Sequence, residues 1–194
     1  LLKHAALQDD ILIDTLRILT NIDINYALDI AGRLNTKERR NQAKIISIIT
    51  AYEKNSEGNY SSQLRDTLKE LDAHNQEILI FNLIKNLSTK NLTLDSESQK
   101  ILFYKSRVLS DPTIKSITLI NLASIWTRED IVKKPKIIQE AQDSWNNEND
   151  LKRRIIFGHL LVEKIANIDI NSARKFYEKV QSTQLFAGAE LAVG

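Results

Sequence analysis

One pentapeptide occurs twice in this chain. Asn-Ile-Asp-Ile-Asn stands at 21–25 and again at 167–171, and each copy opens a segment with the same apolar spacing. Ala27, Ile30, Ala31 and Leu34 follow the first copy at i, i+3, i+4 and i+7; Ala173, Phe176, Tyr177 and Val180 follow the second. That spacing gathers four apolar side chains on one helical face. A helix with one apolar face must bury it against another element. The rest of the sequence reads as variations on this unit.

Turn-forming residues are scarce: five glycines and two prolines in 194 residues. A strand-rich fold needs many tight turns, so this scarcity favours long helices with short connections. In chain order the periodicity predicts helices over Leu7–Thr20, Asn25–Leu34, Arg40–Tyr52, Leu64–Leu71 and Gln76–Ser88. Leu12, Leu16 and Leu19 form the first stripe, widened by Ile11 and Ile18. A sixth helix, Ser96–Leu109, is expected to open with a capping box of Ser96 and Gln99. Asp111-Pro112 starts a seventh that runs to Trp126, with Asp at the N-cap and Pro at the first helical position. Further helices are expected from Pro135 through Trp145, over Lys152–Ala166 and over Asn171–Val180. Glu53–Ser61, Thr127–Lys134 and Asn146–Asp150 read as connections. Gln184–Gly194 reads as the start of an eleventh helix that the chain does not complete. With no Met, even at position 1, the sequence is expected to be a fragment of a longer chain, a single helical-repeat domain over 1–194.

Paired, the helices make about five hairpins with a period of about 33 to 40 residues, the range of tetratricopeptide-type and HEAT-type repeats. Asp169–Gln181 resembles the second-helix half of a tetratricopeptide repeat, whose form is Gly-Asp-Tyr-x-x-Ala-x-x-x-Tyr/Phe-x-x-Ala/Leu. Asp169, Ala173 and Tyr177 fall on matching positions, and Asp23 and Ala27 match in the same way. Ile22 and Ile168 stand where the family has Gly. Phe157 and Leu160 supply large apolar residues in the preceding helix, with Leu161 where the family has a small one. The resemblance covers about two of five units. It implies an all-α fold, a right-handed α-solenoid of antiparallel hairpins with a concave face, in which the small residue lets helices approach closely. It also implies a binding or scaffolding role, and carries over no site residue.

The chemistry-bearing residues do not assemble into a catalytic signature. Absence of Cys excludes disulfides, thiolate metal sites and a Cys nucleophile. His159 with Glu163, and His74 with Glu77, have helical spacing for two metal ligands, but no third or fourth is clustered with them, and His4 stands alone. The adjacent acids Asp9-Asp10 and Glu129-Asp130 point in different directions on a helix and read as solvated ends. No phosphate loop and no G-x-S-x-G elbow occurs. No catalytic, cofactor-binding or metal site is expected, and no small-molecule substrate.

Two basic clusters remain as a candidate partner-binding patch: Lys37, Arg39 and Arg40, with Lys44 nearby, and Lys152, Arg153 and Arg154. Each sits where a first helix begins, where a cation is mildly unfavourable to the helix dipole. A phosphate or acidic peptide would hold them; the near-neutral overall charge favours local pairing with acids of the preceding hairpin, or plain solvation, over such a contact. Lys133, Lys134 and Lys136 form a third group. Trp126 and Trp145 lie on apolar stripes, which makes them core residues before they are a stacking platform.

The charge balance, 27 basic against 25 acidic residues, gives a net +2 and no field to gather nucleic acid or an anionic membrane. No apolar run approaches the roughly 20 residues of a membrane span. Leu-Leu-Lys-His-Ala-Ala at the start is not a signal peptide. The expectation is a cytoplasmic protein–protein interaction or scaffolding module with a protein or peptide partner, and not an enzyme. Two rival readings are a sensor or regulatory segment of a larger enzyme or signalling ATPase, and a nucleic-acid-binding helical repeat.

Overall fold

A computed structural model describes the backbone of residues 2–126 and 133–193 and the side chains of 11–126 and 134–185. Among these residues 81% are helical and none is in a strand, so the class is all-α. Ten helices follow one another: α1 (Leu2–Ile22), α2 (Ile24–Gly32), α3 (Lys37–Lys54), α4 (Ser61–Glu70), α5 (Ala73–Thr89), α6 (Ser96–Ser106), α7 (Pro112–Ile125), α8 (Lys133–Asn146), α9 (Leu151–Ala166) and α10 (Ile170–Val193). They form two compact units, Leu1–Ile101 and Leu102–Gly194, with the division inside α6. The sequence reading has one array over 1–194.

The two pentapeptides build the same helix start. Asp23 caps α2 by accepting the Asn25 amide at 2.8 Å. Asp169 accepts the Asn171 amide at 3.1 Å. The Asp23 amide donates to the Leu19 carbonyl and the Asp169 amide to Ile165, both at 2.8 Å. Ala27 and Ala173, four residues past each cap, are both buried. Short oxygen-bearing side chains open other helices in the same way, Thr36 for α3, Asp72 for α5, Asp111 for α7 and Asp150 for α9. Each accepts an amide that the first helical turn leaves unpaired. At α6 the capping residue is Asp95, not Ser96: it accepts the Ser98 amide at 2.9 Å, and Gln99 reaches back to the Leu94 carbonyl.

In the first unit α3 and α5 lie side by side and run in the same direction. Lys37 and Asn41 at the start of α3 meet Asp72 at the start of α5, and Glu53 at the end of α3 meets Asn86 and Lys90 at the end of α5. α1 is parallel to α3, since Lys54 donates to the Asn21 carbonyl at their shared end. The second helices follow suit: Gln63 of α4 bonds Asn25 of α2, and Arg65 of α4 pairs with Glu97 of α6. Leu16, Ala31 and Ala43 join α1, α2 and α3 in one core cluster, with Leu12 and Leu34 against it. Further along, Tyr52 is fully buried, stands edge-on to Tyr60 at 5.3 Å and bonds Ser98 through its hydroxyl.

In the second unit α7 and α8 are antiparallel: Ser144, near the end of α8, donates to the Pro112 carbonyl at the start of α7. α9 runs parallel to α7, with Arg153 on Asp111 at one end and Lys164 on Asn121 at the other. Trp145 of α8 stands edge-on to Phe176 of α10, centroids 4.9 Å apart, and its indole N–H donates to the Arg154 carbonyl. Trp126 is buried as well and meets Phe103 edge-on at 5.7 Å; its indole N–H has no partner among the described residues.

Several boundaries and faces differ from the sequence reading. α3 and α5 begin at Lys37 and Ala73 rather than Arg40 and Gln76, because Thr36 and Asp72 cap them. α8 begins at Lys133, so Pro135 sits third in the first turn, where a missing amide still costs no helical bond. No eleventh helix starts at Gln184: α10 runs unbroken to Val193. Within its polar run the hydroxyls of Ser182 and Thr183 bond back to the Lys179 carbonyl. Ile11 and Ile18 do not widen the α1 stripe; both are exposed, and Leu16 carries the burial. Tyr177 also faces outward, while its neighbours Ala173, Phe176 and Val180 are buried. In α9 the inward line is Gly158, Leu161 and Ile165, with Leu160 at the surface. Residues 129 and 130 of the acidic pair lie outside the described residues, as do the side chains of His4, Asp9, Asp10 and Lys133.

Candidate functional site

The two basic clusters are placed at helix starts as their sequence implies, and most of their cations meet groups of this chain. Lys37 pairs with Asp72 at 3.4 Å. Arg40 donates to the Leu34 carbonyl at 2.8 Å, so it closes the exposed end of the preceding hairpin. Arg39 has an interaction of its own within the chain. Lys44 pairs with Glu70, and burial, helped by the Arg40 cation, lowers its pKa from the ordinary lysine value. In the second cluster Arg153 holds Asp111 at 2.9 Å and Glu148 at 3.6 Å. Arg154 reaches the Asn146 carbonyl at 3.5 Å. Lys152 is exposed to solvent.

The acids that meet these cations are held in their charged form. Two amide-type donors, the Asn75 backbone N–H and its side chain, bring the Asp72 carboxyl down to about 2, with Lys37 contributing further. Thr113 donates to Glu148 at 2.6 Å and the Asp150 amide at 3.0 Å, and together they hold that carboxyl below the usual range. Burial works to raise Asp111, but the Ile114 amide and the Arg153 guanidinium more than offset it. These are the marks of charge pairs that fasten one hairpin to the next.

The larger open hollow is elsewhere, on the first unit, and no sequence motif announces it. It is a groove of about 390 Å³ between α3 and α5, edged by Arg17 of α1. Ile45, Ile46 and Ile49 of α3 and Ile78 of α5 give it an aliphatic floor. Asn75, Asn82 and Asn86 of α5 line one wall. With Ile78 these stand at i, i+3, i+7 and i+11, one row along the helix. The row lies beside the buried stripe of Leu79, Leu83 and Leu87. Its signal in the sequence is faint: three residues of one amide type, recurring at helical spacing next to an apolar face. A second hollow, about 340 Å³ between α2 and α4, is lined by Asp29, Asp66 and Glu70 among others. Each of those acids already has a cation, Arg33, Lys69 and Lys44.

The histidine pairs assemble no metal site among the described residues. His74 is exposed, and His159 faces Gln184 and the Tyr177 ring. Among the described residues no helix is long and apolar enough to cross a membrane. No family model, no curated protein and no solved structure matches the chain.

Proposed function

We propose that this chain is a protein-interaction module, a right-handed tetratricopeptide-like array of helical hairpins that takes up a segment of another protein on its first-helix face. The observation that carries the proposal is the groove between the parallel helices α3 and α5, with its aliphatic floor and amide wall. Parallel first helices lying side by side are what a stacked array of hairpins produces, and stacking leaves a face for a ligand. The helix starts recur about every 35 to 40 residues, the interval of such arrays. The groove sets polar side chains, Asn75, Asn82 and Asn86 among them, beside four isoleucines, and such polar groups can fix the orientation of a bound chain. The basic residues Lys37, Arg39, Arg40, Lys152, Arg153 and Arg154 are a secondary contact in this scheme, with Lys37 and Lys152 exposed. The proposed setting is the cytoplasm, and the proposed role is binding, not chemistry.

Selection of a random dodecapeptide library on the immobilised 194-residue chain tests this. Peptides should be enriched that bind one saturable site with micromolar Kd, an affinity of about 8 kcal/mol. If no peptide is enriched, while a DNA or RNA duplex binds with a steep salt dependence, nucleic-acid recognition replaces the proposal.

A further inference from the structure

We propose that the groove between α3 and α5 grips an extended, uncharged polypeptide backbone through Asn82 and Asn86 and seats one aliphatic side chain on Ile46, Ile49 and Ile78. This rests on the peptide-binding reading above and names the chemistry by which the groove selects its occupant.

A carboxamide carries an acceptor oxygen and two N–H donors. It therefore matches both hydrogen-bonding groups of one residue in an extended chain, whose N–H and C=O point to the same edge. The next residue facing that edge is two positions on, about 6.6 to 6.8 Å away. Asn82 and Asn86 are one helical step of four residues apart, about 6 Å along the axis of α5. The two intervals agree closely enough for a strand lying along α5 to meet both amides.

The groups are available for this. The side chain of Asn82, half-buried in the groove, makes no hydrogen bond to any described residue. Asn86 donates once, to Glu53 at 3.1 Å, which leaves its oxygen and its second N–H. That bond also fixes the amide plane, so Asn86 is oriented before a ligand arrives. An α-helical ligand would gain nothing from these amides, because its backbone groups are already paired internally.

Charge complementarity sets the second half of the proposal. Of the groove's two ionic side chains, Glu53 is matched by Lys90 at 3.2 Å, and Arg17 stands at the edge with Asp14 3.7 Å away. The lining is otherwise isoleucine, amide and hydroxyl. Beyond the reach of Arg17 at that edge, a seated carboxylate or ammonium would lose water without gaining a counter-charge. An uncharged stretch loses nothing of the kind, and its aliphatic side chain covers isoleucine surface that is otherwise wet.

The test uses a peptide enriched on the full chain, remade with an N-methyl group at each backbone position in turn. N-methylation removes a donor without changing the side chain. Affinity should fall about tenfold at two positions spaced two apart and stay within about twofold at the position between, the worth of a net hydrogen bond. Asn82→Ala should weaken the unmodified peptide about tenfold at an unchanged melting temperature; Asn86→Ala should weaken it as much, with a lower melting temperature because its bond to Glu53 is lost. Lys or Glu in place of the aliphatic anchor should abolish binding. An N-methyl profile without the two-residue period, or an Asn82→Ala chain that binds unchanged, overturns the amide rail while peptide binding itself stands. The N-methyl scan is done on the unaltered chain, so it decides the matter even if a variant fails to fold. If the library yields no binder, the reading and the inference fall together.

Discussion

Gly158 on α9 lies directly against Val180 on α10: a Cβ built on Gly158 would stand 2.9 Å from one Val180 methyl and 3.0 Å from the other. The same Cβ would be 3.1 Å from the Trp145 indole nitrogen of α8. Three helices thus meet where one of them has no side chain. Val180 cannot easily turn away, because a β-branched residue in a helix has one strongly preferred rotamer. Gly158→Ala should therefore destabilise the chain by about 1 to 2 kcal/mol, the overpacking penalty less the better helix propensity of alanine. Gly32, in the last turn of α2, is the opposite case, with nothing within 4 Å of its Cβ position. Its φ is not positive, so alanine meets no strain. Gly32→Ala should stabilise by about 0.5 to 1 kcal/mol. Urea unfolding of the two variants should give midpoints that move in opposite directions.

The burial of α10 sets a second pair apart. Phe176 is fully buried against Trp145, whereas Tyr177 is 41% exposed and accepts a hydrogen bond from Gln181. Phe176→Ala should cost about 3 to 5 kcal/mol, and Tyr177→Ala well under half of that. Equal losses would mean that α10 is turned on its axis relative to this packing.

Ala27 and Ala173 follow equivalent caps and are both buried. A larger side chain at either has to displace the helix packed against it. Ala27→Leu and Ala173→Leu should each cost about 1 to 3 kcal/mol. Thermal unfolding of the two variants checks this, and an unchanged melting temperature for either would contradict its placement.

What could be read from the sequence, and what could not, divides along physical lines. The two Asn-Ile-Asp-Ile-Asn helix starts were legible because a cap is local: Asp23 and Asp169 need only the amides two and three residues on. The stripes of Ile80, Leu83, Ile84 and Leu87 and of Leu119, Leu122 and Ala123 were legible because periodicity fixes a face. Which of several apolar candidates turns inward was not, as Tyr177 and Leu160 show, because that depends on the neighbour's shape. Gly158 carries no apolar signal at all, yet it lies against Val180 and Trp145 with no room for a Cβ. The basic clusters were visible, but their partners Asp72 and Asp111 are more than thirty residues distant in sequence. The groove was hidden for the same reason: it belongs to two helices, and neither Asn82 nor Ile49 is unusual on its own helix.

The charge pairs of the second unit predict a pH dependence with a definite sign. Glu148 is buried, accepts Thr113 and the Asp150 amide, and lies near Arg153. Its carboxyl is lowered in the folded chain, chiefly by Thr113, and so is that of Asp111. A carboxyl whose pKa is depressed by folding contributes stability above its unfolded value, and loses it as pH falls through the folded one. Stability should therefore be level from about pH 7 to pH 5 and decline below about pH 4.5, where unfolded glutamate and aspartate begin to take up protons. Glu148→Gln keeps the shape and one acceptor oxygen, for Thr113 or the Asp150 amide but not both, and removes the charge. It should be less stable at pH 7 and show a shallower decline between pH 4.5 and pH 2. Glu148→Ala strips Thr113 of its buried partner as well and should cost about 1 to 3 kcal/mol more at neutral pH. Melting temperatures of the three chains across this range decide the point. Parallel curves for the parent and Glu148→Gln would mean that the Glu148 charge does nothing for the fold.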